Sequence, residues 1–379
     1  MLAHFGHHLL TALPIPLTPF IRDDFALDYT QAGLVVSAFT LAYGIGQLPA
    51  GWVADRIEPR IVVTIGICGV AVAGFLVGLS QTYILLIVFL ALMGIAGGGY
   101  HPAAPAIIAS SVEPEKRGRA LGLHMIGGSA SFFLAPLIAA AIAGVWGWRG
   151  SFIGLAVPAM VFGVAFYVLL GRQAAFKKAE AKTTIGQTEA PSPPGRWRRL
   201  VWFIILSTGS QAVVFSVLSF IPLFLVDQRG VSEETAAALI ALVYSCGLWV
   251  SPLGGYLSDR LGRVPMILAV CFMVGPVIYL LNLAPYGIGI GALLVLIGVF
   301  MYVRMPLSEA YILGQTSERY RSTILGIYYF SSMEGGGVLT PVMGYLIDNF
   351  GFSTSFTIAG AVVLGVTLVC SIFLWGDRG

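Results

Sequence analysis

The sequence GWVADRIEPR at residues 51–60 returns in altered form as GGYLSDRLGR at residues 254–263. Gly51 and the pair Asp55-Arg56 correspond to Gly255 and the pair Asp259-Arg260, each 204 residues later. The same offset relates three further pairs: Gly94 and Gly298, Pro102 and Pro306, and Gly122 and Gly326. Landmarks that recur at one constant offset predict two copies of a single structural unit in parallel orientation.

The repeated unit is apolar along its whole length. Hydrophobic residues make up 57% of the 379 residues and charged residues only 10%, whereas globular proteins have about 25% charged residues. The mean hydropathy is +0.88. This composition excludes a soluble fold and predicts an all-α membrane protein with the lipid bilayer as its surroundings and no nucleic acid as a partner. The 47 glycines fit close helix approach in lipid.

Apolar stretches of the length of a membrane helix recur from end to end. They lie near residues 2–20, 30–53, 61–79, 83–110, 119–145, 150–170, 200–225, 235–256, 264–282, 287–314, 322–346 and 352–375. A hydrophobic helix of about 20 residues spans a bilayer. The sequence therefore predicts twelve transmembrane helices. The first apolar stretch has neither a basic start nor a signal-peptidase site, so we interpret it as the first of these helices.

One long polar segment, residues 171–199, divides the twelve stretches into two sets of six. Its Pro, Ser, Ala and Lys residues are typical of an unstructured tether. We therefore predict an N-terminal bundle at residues 1–170, a cytoplasmic linker at residues 171–199 and a C-terminal bundle at residues 200–379.

Basic residues predict the orientation of these helices. Seventeen of the 21 lysines and arginines fall on the side that holds both termini, three (Arg22, Arg149 and Arg229) fall on the other side, and Arg304 lies within a span. Because loops rich in Lys and Arg remain cytoplasmic, we predict a multi-pass inner-membrane protein with both termini in the cytoplasm. We also expect a monomer.

The paired G-x-x-x-D-R sequences resemble the signature loop of the major facilitator superfamily, and the resemblance covers essentially the whole chain. It implies a fold of two parallel six-helix bundles that rock about a central site. It also implies that the loop residues hold the cytoplasmic side closed. The implied gating residues are Gly51, Asp55, Arg56, Gly255, Asp259 and Arg260. The first copy departs from the pattern, since it has Ile57-Glu58-Pro59-Arg60 where a glycine and paired arginines are expected.

Residues 97–139 resemble the corresponding region of fosmidomycin-resistance-type exporters, which also carry a His-Pro in helix four and a glycine pair in helix five. Two features differ from drug/proton antiporters. Leu90 stands where many of them have an arginine, and Ala135-Pro136 stands where helix five often has Gly-Pro. The resemblance suggests efflux.

Arg304 is the one basic residue inside a predicted span. A charge in the bilayer centre is costly and needs a partner. Glu309 lies about 140° around the same helix and so does not share its face. Glu334 lies at a similar predicted depth in helix eleven, and we expect it to pair with Arg304. The pair either ties two helices together or forms an anion site whose resting counter-charge is Glu334. The family resemblance implies that helix ten lines the central cavity.

The repeat offset places Tyr100 opposite Arg304, with His101 beside it. We expect Tyr100 and His101 to face the same cavity, because an imidazole there can carry a proton or donate to an anion. The alternative is that His101 is a packed core residue. Packing is the expected role of His7, His8 and His124.

We therefore predict a secondary transporter, a proton-coupled exporter of an organic anion or an amphiphilic drug-like compound. Its substrate-binding residues are Arg304, Tyr100, His101 and Glu334, and its proton-coupling residues are Glu334, Glu309 and His101. The alternatives are a proton-coupled importer of a small organic anion and a transport-dead receptor. No nucleotide-binding or hydrolase motif occurs, so we expect neither an enzyme nor a cofactor. The four cysteines are irregularly spaced within apolar stretches, and we expect no metal site.

Overall fold

The computed structural model describes residues 1–54, 56–113, 116–174, 196–250, 253, 257, 260–316 and 321–374. Every regular element among these residues is helical, as the apolar stretches predict. The first half contains α1 (Leu2–Thr11), α2 (Thr18–Phe25), α3 (Tyr29–Ala54), α4 (Pro59–Gly78), α5 (Tyr83–Gly98), α6 (Tyr100–Ser111) and α7 (Arg117–Ala174). The second half contains α8 (Arg196–Arg229), α9 (Glu233–Ser245), a 3-10 turn (Cys246–Leu248), α10 (Arg263–Leu280), α11 (Ile288–Gln315) and α12 (Arg321–Leu374).

Seven helical segments of the described part of the chain are long and apolar enough to cross a membrane. Two of them cover 51 residues of α7 and 49 residues of α12, which is enough for two crossings each. Another of the seven, Tyr83–Pro105, joins α5 to α6, and a further crossing is built from α1 with α2. The predicted architecture of twelve helices in two parallel six-helix units is confirmed.

Each long helix bends at a glycine, and the two bends are 204 residues apart. Gly147 in α7 has φ 70° and ψ 171°, and Gly351 in α12 has φ 73° and ψ 168°. Residues with a Cβ atom rarely adopt a positive φ. Glycine therefore lets the backbone reverse direction at both positions with little strain. The repeat seen in the sequence therefore extends to matched backbone geometry.

A second pair of repeat glycines marks a close helix approach within each half. A Cβ atom on Gly94 would lie 2.4 Å from the carbonyl oxygen of Phe39, and one on Gly298 would lie 2.3 Å from that of Val243. Phe39 and Val243 are themselves 204 residues apart. Within lipid, no hydrophobic effect drives helices together, so their association depends on close packing. Glycines allow that packing because they let two helix backbones come close to each other.

The apolar interior is largely divided between the two halves. One cluster of buried side chains runs from Leu9 to Ala159. The largest cluster runs from Leu200 to Leu374, with Ala32 as its one member from the first half among the described residues. Each half thus packs mainly on itself. The boundaries proposed for the bundles and the linker stay a prediction, because residues 175–195 lie outside the described residues.

Polar contacts join the two halves at the end of the bundle that carries Arg22, which we call the Arg22 end. The Asp348 carboxylate accepts hydrogen bonds from the backbone N–H groups of Tyr29 and Thr30, both at 2.9 Å, and from Thr30 Oγ1 at 2.5 Å. Those amides belong to the first turn of α3, where helix N–H groups lack intrahelical partners. A carboxylate of the second half therefore caps a helix of the first.

A second link at the Arg22 end centres on Asp227. Arg22 forms an ion pair with Asp227, and the Tyr29 hydroxyl donates to the same carboxylate at 2.8 Å. Arg22 also pairs with Asp23 at 2.7 Å. Asp23 and Asp227 occupy equivalent repeat positions, so one arginine bridges the same residue of both halves. On the predicted topology this is the outer end, and it is closed.

The close approach at Gly298 gives a first prediction. We expect Gly298→Ala to lower the free energy of unfolding by about 1–3 kcal/mol, because its Cβ would force the backbone near Val243 to shift. Gly326→Ala is the matched control, since a Cβ there meets no atom within 4 Å. Thermal unfolding in detergent measures both. Equal melting temperatures for the two variants would contradict a close helix approach at Gly298.

The cap on α3 gives a second prediction. Asp348→Asn removes the charge and one acceptor, so we expect the Arg22 end to open more often. Spin labels at Gln81 and Tyr286, in a background without the native cysteines, would show a larger fraction of long distances. Asp24→Asn is the control, because Asp24 pairs at 2.7 Å with Arg149 of its own half. An unchanged distance distribution for Asp348→Asn would contradict a clamping role.

Candidate functional site

Arg304 lies inside the second half with its guanidinium held by two neighbouring helices. Its Nε donates to Gln211 Oε1 at 3.0 Å, and its Nη1 donates to Ser207 Oγ at 2.8 Å and to the Tyr328 hydroxyl at 2.7 Å. Ser207 and Gln211 are one helical turn apart on α8, so they present one face to α11. The arginine is only 5% exposed.

These hydrogen-bond partners are neutral, and Glu309 acts on the guanidinium only through its charge, without forming an ion pair among the described residues. A guanidinium has five N–H donors in a planar fork. Nε and Nη1 are engaged, whereas Nη2 has no hydrogen-bond partner among the described residues. A planar cation with two free donors matches carboxylate, sulfonate or phosphonate oxygens.

Arg304 and Glu334 do not form the expected ion pair. No nitrogen of Arg304 lies within 4.0 Å of a Glu334 oxygen in the structure, where both side chains are described. Arg304 contacts Tyr328 of α12 instead. Glu334 is six residues further along that helix, which places it about 9 Å along the axis and about 240° around it. Counting residues from the loop therefore did not predict which residue of α12 contacts Arg304.

Glu334 points toward the other half of the protein. Its carboxyl group occupies the space beside Gly44 of α3, where a Cβ on that glycine would lie 1.4 Å from Glu334 Oε1. Oε1 is buried and has no hydrogen-bond partner among the described residues. Nearby, Ser37 Oγ donates to the Gly337 carbonyl at 2.7 Å across the same pair of helices. Glu334 thus places a buried carboxyl oxygen, without a partner in the described part of the chain, at the contact between the halves.

Glu309, the other acidic residue of this region, has a local partner. It interacts with the hydroxyl of Tyr329 on α12. This agrees with the expectation that it does not share the face of Arg304, since the Arg304 guanidinium points to Ser207 and Gln211.

Tyr100 and His101 lie in a polar cluster of the first half. Tyr100 is fully buried and stacks on His7 with ring centroids 4.3 Å apart. The His101 ring lies 5.4 Å from the ring of His4. Neither residue contacts Arg304 in the structure. Their expected roles in binding substrate and protons stay predictions.

The two buried polar clusters occupy equivalent repeat positions. The offset of 204 residues relates His7 to Gln211, Tyr100 to Arg304 and His124 to Tyr328. His7 packs on Tyr100 in one half, and Gln211 binds Arg304 in the other. The same three helix positions therefore carry imidazole and phenol groups in the first half and an arginine with its acceptors in the second.

Sequence reasoning missed Ser207, Gln211 and Tyr328 as partners of Arg304, and it did not single out His4. One signal was available. Applying the repeat offset to every polar residue of the spans, beyond the glycines and prolines, would have found Gln211 and Tyr328 from His7 and His124.

Half of the six residues predicted to gate the cytoplasmic side fall outside the described residues. Asp55, Gly255 and Asp259 are not described. Gly51 lies in α3, and Arg56 and Arg260 are exposed. The gating assignment stays a prediction.

Comparison with known proteins gives a consistent family. The sequence model of the Major Facilitator Superfamily matches residues 1–285 and 246–379. A probable sulfoacetate transporter of Cupriavidus necator is 27% identical, over 94% of this chain and 87% of that protein. A multidrug resistance protein of Proteus mirabilis is also 27% identical, over 93% of this chain and 89% of that protein.

A solved structure shares the fold at low sequence identity. The bacterial homologue of the human lysosomal transporter Spinster, in an inward-facing and occupied conformation, superposes with a TM-score of 0.79 at 17% identity. The match covers 98% of this chain and 93% of that one. The family model, the relatives and the apolar helices identify an integral multi-pass membrane protein. The chain belongs to the Major Facilitator Superfamily and is a secondary transporter.

Proposed function

We propose that the protein is a proton-coupled transporter of small organic anions, with Arg304 as the substrate-binding cation and Glu334 as the proton-coupling group. The observation that carries the proposal is the free side of Arg304. Three neutral acceptors fix the guanidinium, and its Nη2 donors remain available.

The fixed position of Arg304 favours a bound anion over a permanent tie between helices. A tie would require a counter-charge, and the groups that hold Arg304 are a serine, a glutamine and a tyrosine. A buried charge without a counter-charge is costly. An anionic substrate removes that free-energy cost when it binds. The same interaction between charges would therefore give both the affinity and the selectivity for anions. The sulfoacetate transporter among the relatives is named for a substrate of this class.

Glu334 supplies a physical route from proton binding to conformational change. The carboxyl lies between α3 and α12, against Gly44, with Oε1 unpaired. An ionised carboxylate in this position needs a donor or a cation, and protonation removes that need. Proton binding therefore favours the state in which α3 and α12 are in contact, and proton release favours their separation. Glu309 and His101 are the alternative proton carriers predicted from the sequence.

Export and import use the same site. A proton released as the anion leaves in the opposite direction gives an exporter, and a proton carried with the anion gives an importer. Similarity to fosmidomycin-resistance-type proteins and to a multidrug resistance protein supports export, whereas the sulfoacetate relative supports the small-anion substrate. Amphiphilic drug-like compounds are the remaining substrate class predicted from the sequence.

Alternating access requires a second closed state, and we assign it to the predicted cytoplasmic loops. Asp348 and Asp227 close the Arg22 end. Asp55, Arg56, Asp259 and Arg260 would close the opposite end when the Arg22 end opens. Each end then offers a separate set of charged contacts, and the rocking motion exchanges one set for the other.

The arginine gives a third prediction. Arg304→Lys keeps the charge but loses the fork, so we expect anion binding to weaken by about 1–3 kcal/mol. Binding of sulfoacetate and related sulfonates and carboxylates to the purified protein, measured by thermal shift and calorimetry, tests this. Arg263→Lys is the control, because Arg263 donates to the Ala310 carbonyl at 2.9 Å, away from this site. Equal affinities for wild type and Arg304→Lys would contradict substrate binding by the guanidinium fork.

The carboxyl group gives a fourth prediction. In proteoliposomes, Glu334→Gln should abolish the response of anion flux to a pH gradient while anion exchange continues, because glutamine imitates the protonated acid permanently. The direction of the gradient-driven flux in wild type separates export from import. Gradient dependence that survives in Glu334→Gln and disappears in Glu309→Gln would move the coupling to Glu309.

Glu233→Gln is the matched control for that experiment. Burial, a hydrogen bond to Asp23 and the charge of Asp23 together raise the pKa of Glu233 to about 7. Glu233 lies at the Arg22 end, outside the candidate spans, so its proton exchanges with one side of the membrane only. Glu233→Gln should therefore preserve the response to the gradient.

A further inference from the structure

All five histidines of the chain gather in one buried cluster of the first half. The members are His4, His7 and His8 of α1, His101 of α6 and His124 of α7. Their ring centroids approach to 4.2 Å for His4 and His124 and to 4.8 Å for His4 and His8. Packing alone does not require five imidazoles in one place, because aliphatic side chains fill such space without polar atoms to satisfy.

The hydrogen bonds of the cluster define which ring nitrogens carry protons. His4 Nδ1 lies 2.9 Å from the His124 carbonyl oxygen. A carbonyl only accepts, so this nitrogen is the donor and His4 Nε2 is left with its lone pair. His8 Nε2 lies 3.1 Å from His4 Nε2, and His8 Nδ1 lies 2.8 Å from Thr11 Oγ1. When the His8 proton moves from Nε2 to Nδ1, His8 Nε2 also has a free lone pair. The lone pairs of His4 Nε2 and His8 Nε2 then meet at the centre of the cluster.

We propose that His4, His8 and His101 bind one divalent transition-metal ion. One ring nitrogen of each lies within 4.8 Å of the others. Metal–nitrogen bonds of about 2.0–2.1 Å in a tetrahedral site separate ligand atoms by about 3.4 Å. The His4 and His8 nitrogens are already at 3.1 Å. A small rotation of His101 toward them therefore completes the three-ligand set.

Two of the proposed ligands already have acceptors for the ring nitrogen that would face away from the ion. A histidine that binds a metal usually donates its other N–H to a carbonyl, carboxylate or hydroxyl oxygen. His4 has the His124 carbonyl for this purpose, and His8 has Thr11 Oγ1. His4 and His8 are also one turn apart on α1, where an i, i+4 pair presents both rings on one face. The ring of His124 stacks on His4 and fixes its orientation.

The donor set selects the class of ion. Three neutral imidazoles suit Zn²⁺, Ni²⁺ and Cu²⁺ and do not suit Mg²⁺ or Ca²⁺, which prefer oxygen ligands. Three protein ligands leave a fourth position open in a tetrahedral site. The ligands carry no charge, so a small anion or hydroxide at the open position would offset part of the ionic charge. This site is separate from Arg304 and does not depend on the proposed anion transport.

His7 provides a control within the same cluster. Its Nδ1 donates to the Gly66 carbonyl at 3.0 Å, and its Nε2 accepts from the Tyr43 hydroxyl at 2.9 Å. Both ring nitrogens are therefore used by the protein. A residue with the same chemistry and burial thus lies beside the proposed ligands but cannot bind the ion without losing a hydrogen bond.

The experiment uses the full chain with an affinity tag that contains no histidine, stripped with a chelator in detergent. Titration with Zn²⁺ by calorimetry should show one ion per chain, and Co²⁺ should give the visible absorption of a tetrahedral site. Zn²⁺ should also raise the melting temperature. We expect His4→Gln and His101→Gln to lose the Co²⁺ spectrum, and Thr11→Val to weaken Zn²⁺ binding about 10–100-fold. His7→Gln should bind as wild type does.

Two results would overturn the proposal. Wild-type protein that takes up no Zn²⁺ or Co²⁺ would leave the histidines as hydrogen-bonded core residues. Loss of the Co²⁺ spectrum in His7→Gln to the same extent as in His4→Gln would show a general effect on packing. Thr11→Val guards against the case in which a histidine variant fails to fold, because valine has nearly the volume of threonine and removes only the hydroxyl.

Discussion

A positive charge inside an apolar bundle must be held by polar groups of the bundle itself, and the buried guanidinium of Arg304 imposes that requirement on the second half of the protein. Ser207 and Gln211 bring acceptors from α8, and Tyr328 brings one from α12. The three contacts fix how α8, α11 and α12 are rotated against one another. None of these three contacts is an ion pair, so the proposal of an anion site rests on a guanidinium that neutral groups hold in place.

The repeat gave both halves the same framework, and the two halves filled it with different chemistry. Gly94 and Gly298 place neighbouring helices at the same distance, and Gly147 and Gly351 reverse the chain in the same way. Within that framework, Tyr100 stands where the other half has Arg304, and His7 stands where it has Gln211. One half is built around a permanent cation and the other around titratable, metal-binding imidazoles.

The contacts between the halves depart from the repeat in a way that affects gating. Asp348 caps α3, but the equivalent residue in the first half is Gly144, which meets the side chain of Glu234 on α9. Helix α9 instead receives its cap from its own Ser232. At the Arg22 end, a carboxylate therefore stabilises the contact between α3 and α12. The contact between α7 and α9 is stabilised by packing. Glu334 lies along the same α3–α12 contact, against Gly44.

The sequence alone determined the helical membrane fold, the twofold repeat and the importance of Arg304, because each depends on composition or on spacing along the chain. Apolar length predicts a span, a constant offset predicts a repeat, and a lone arginine within a span stands out without any coordinates. Only the tertiary structure decided which groups surround that arginine. Glu334 lies about 9 Å along α12 from Tyr328 and about 240° around it, so its side chain turns away from Arg304. The histidines of α1, α6 and α7 are 120 residues apart at the extremes, and they meet only because those helices pack around one point. Depth follows from counting residues, whereas rotation about a helix axis is set by side-chain packing between helices, which spacing along one chain does not encode.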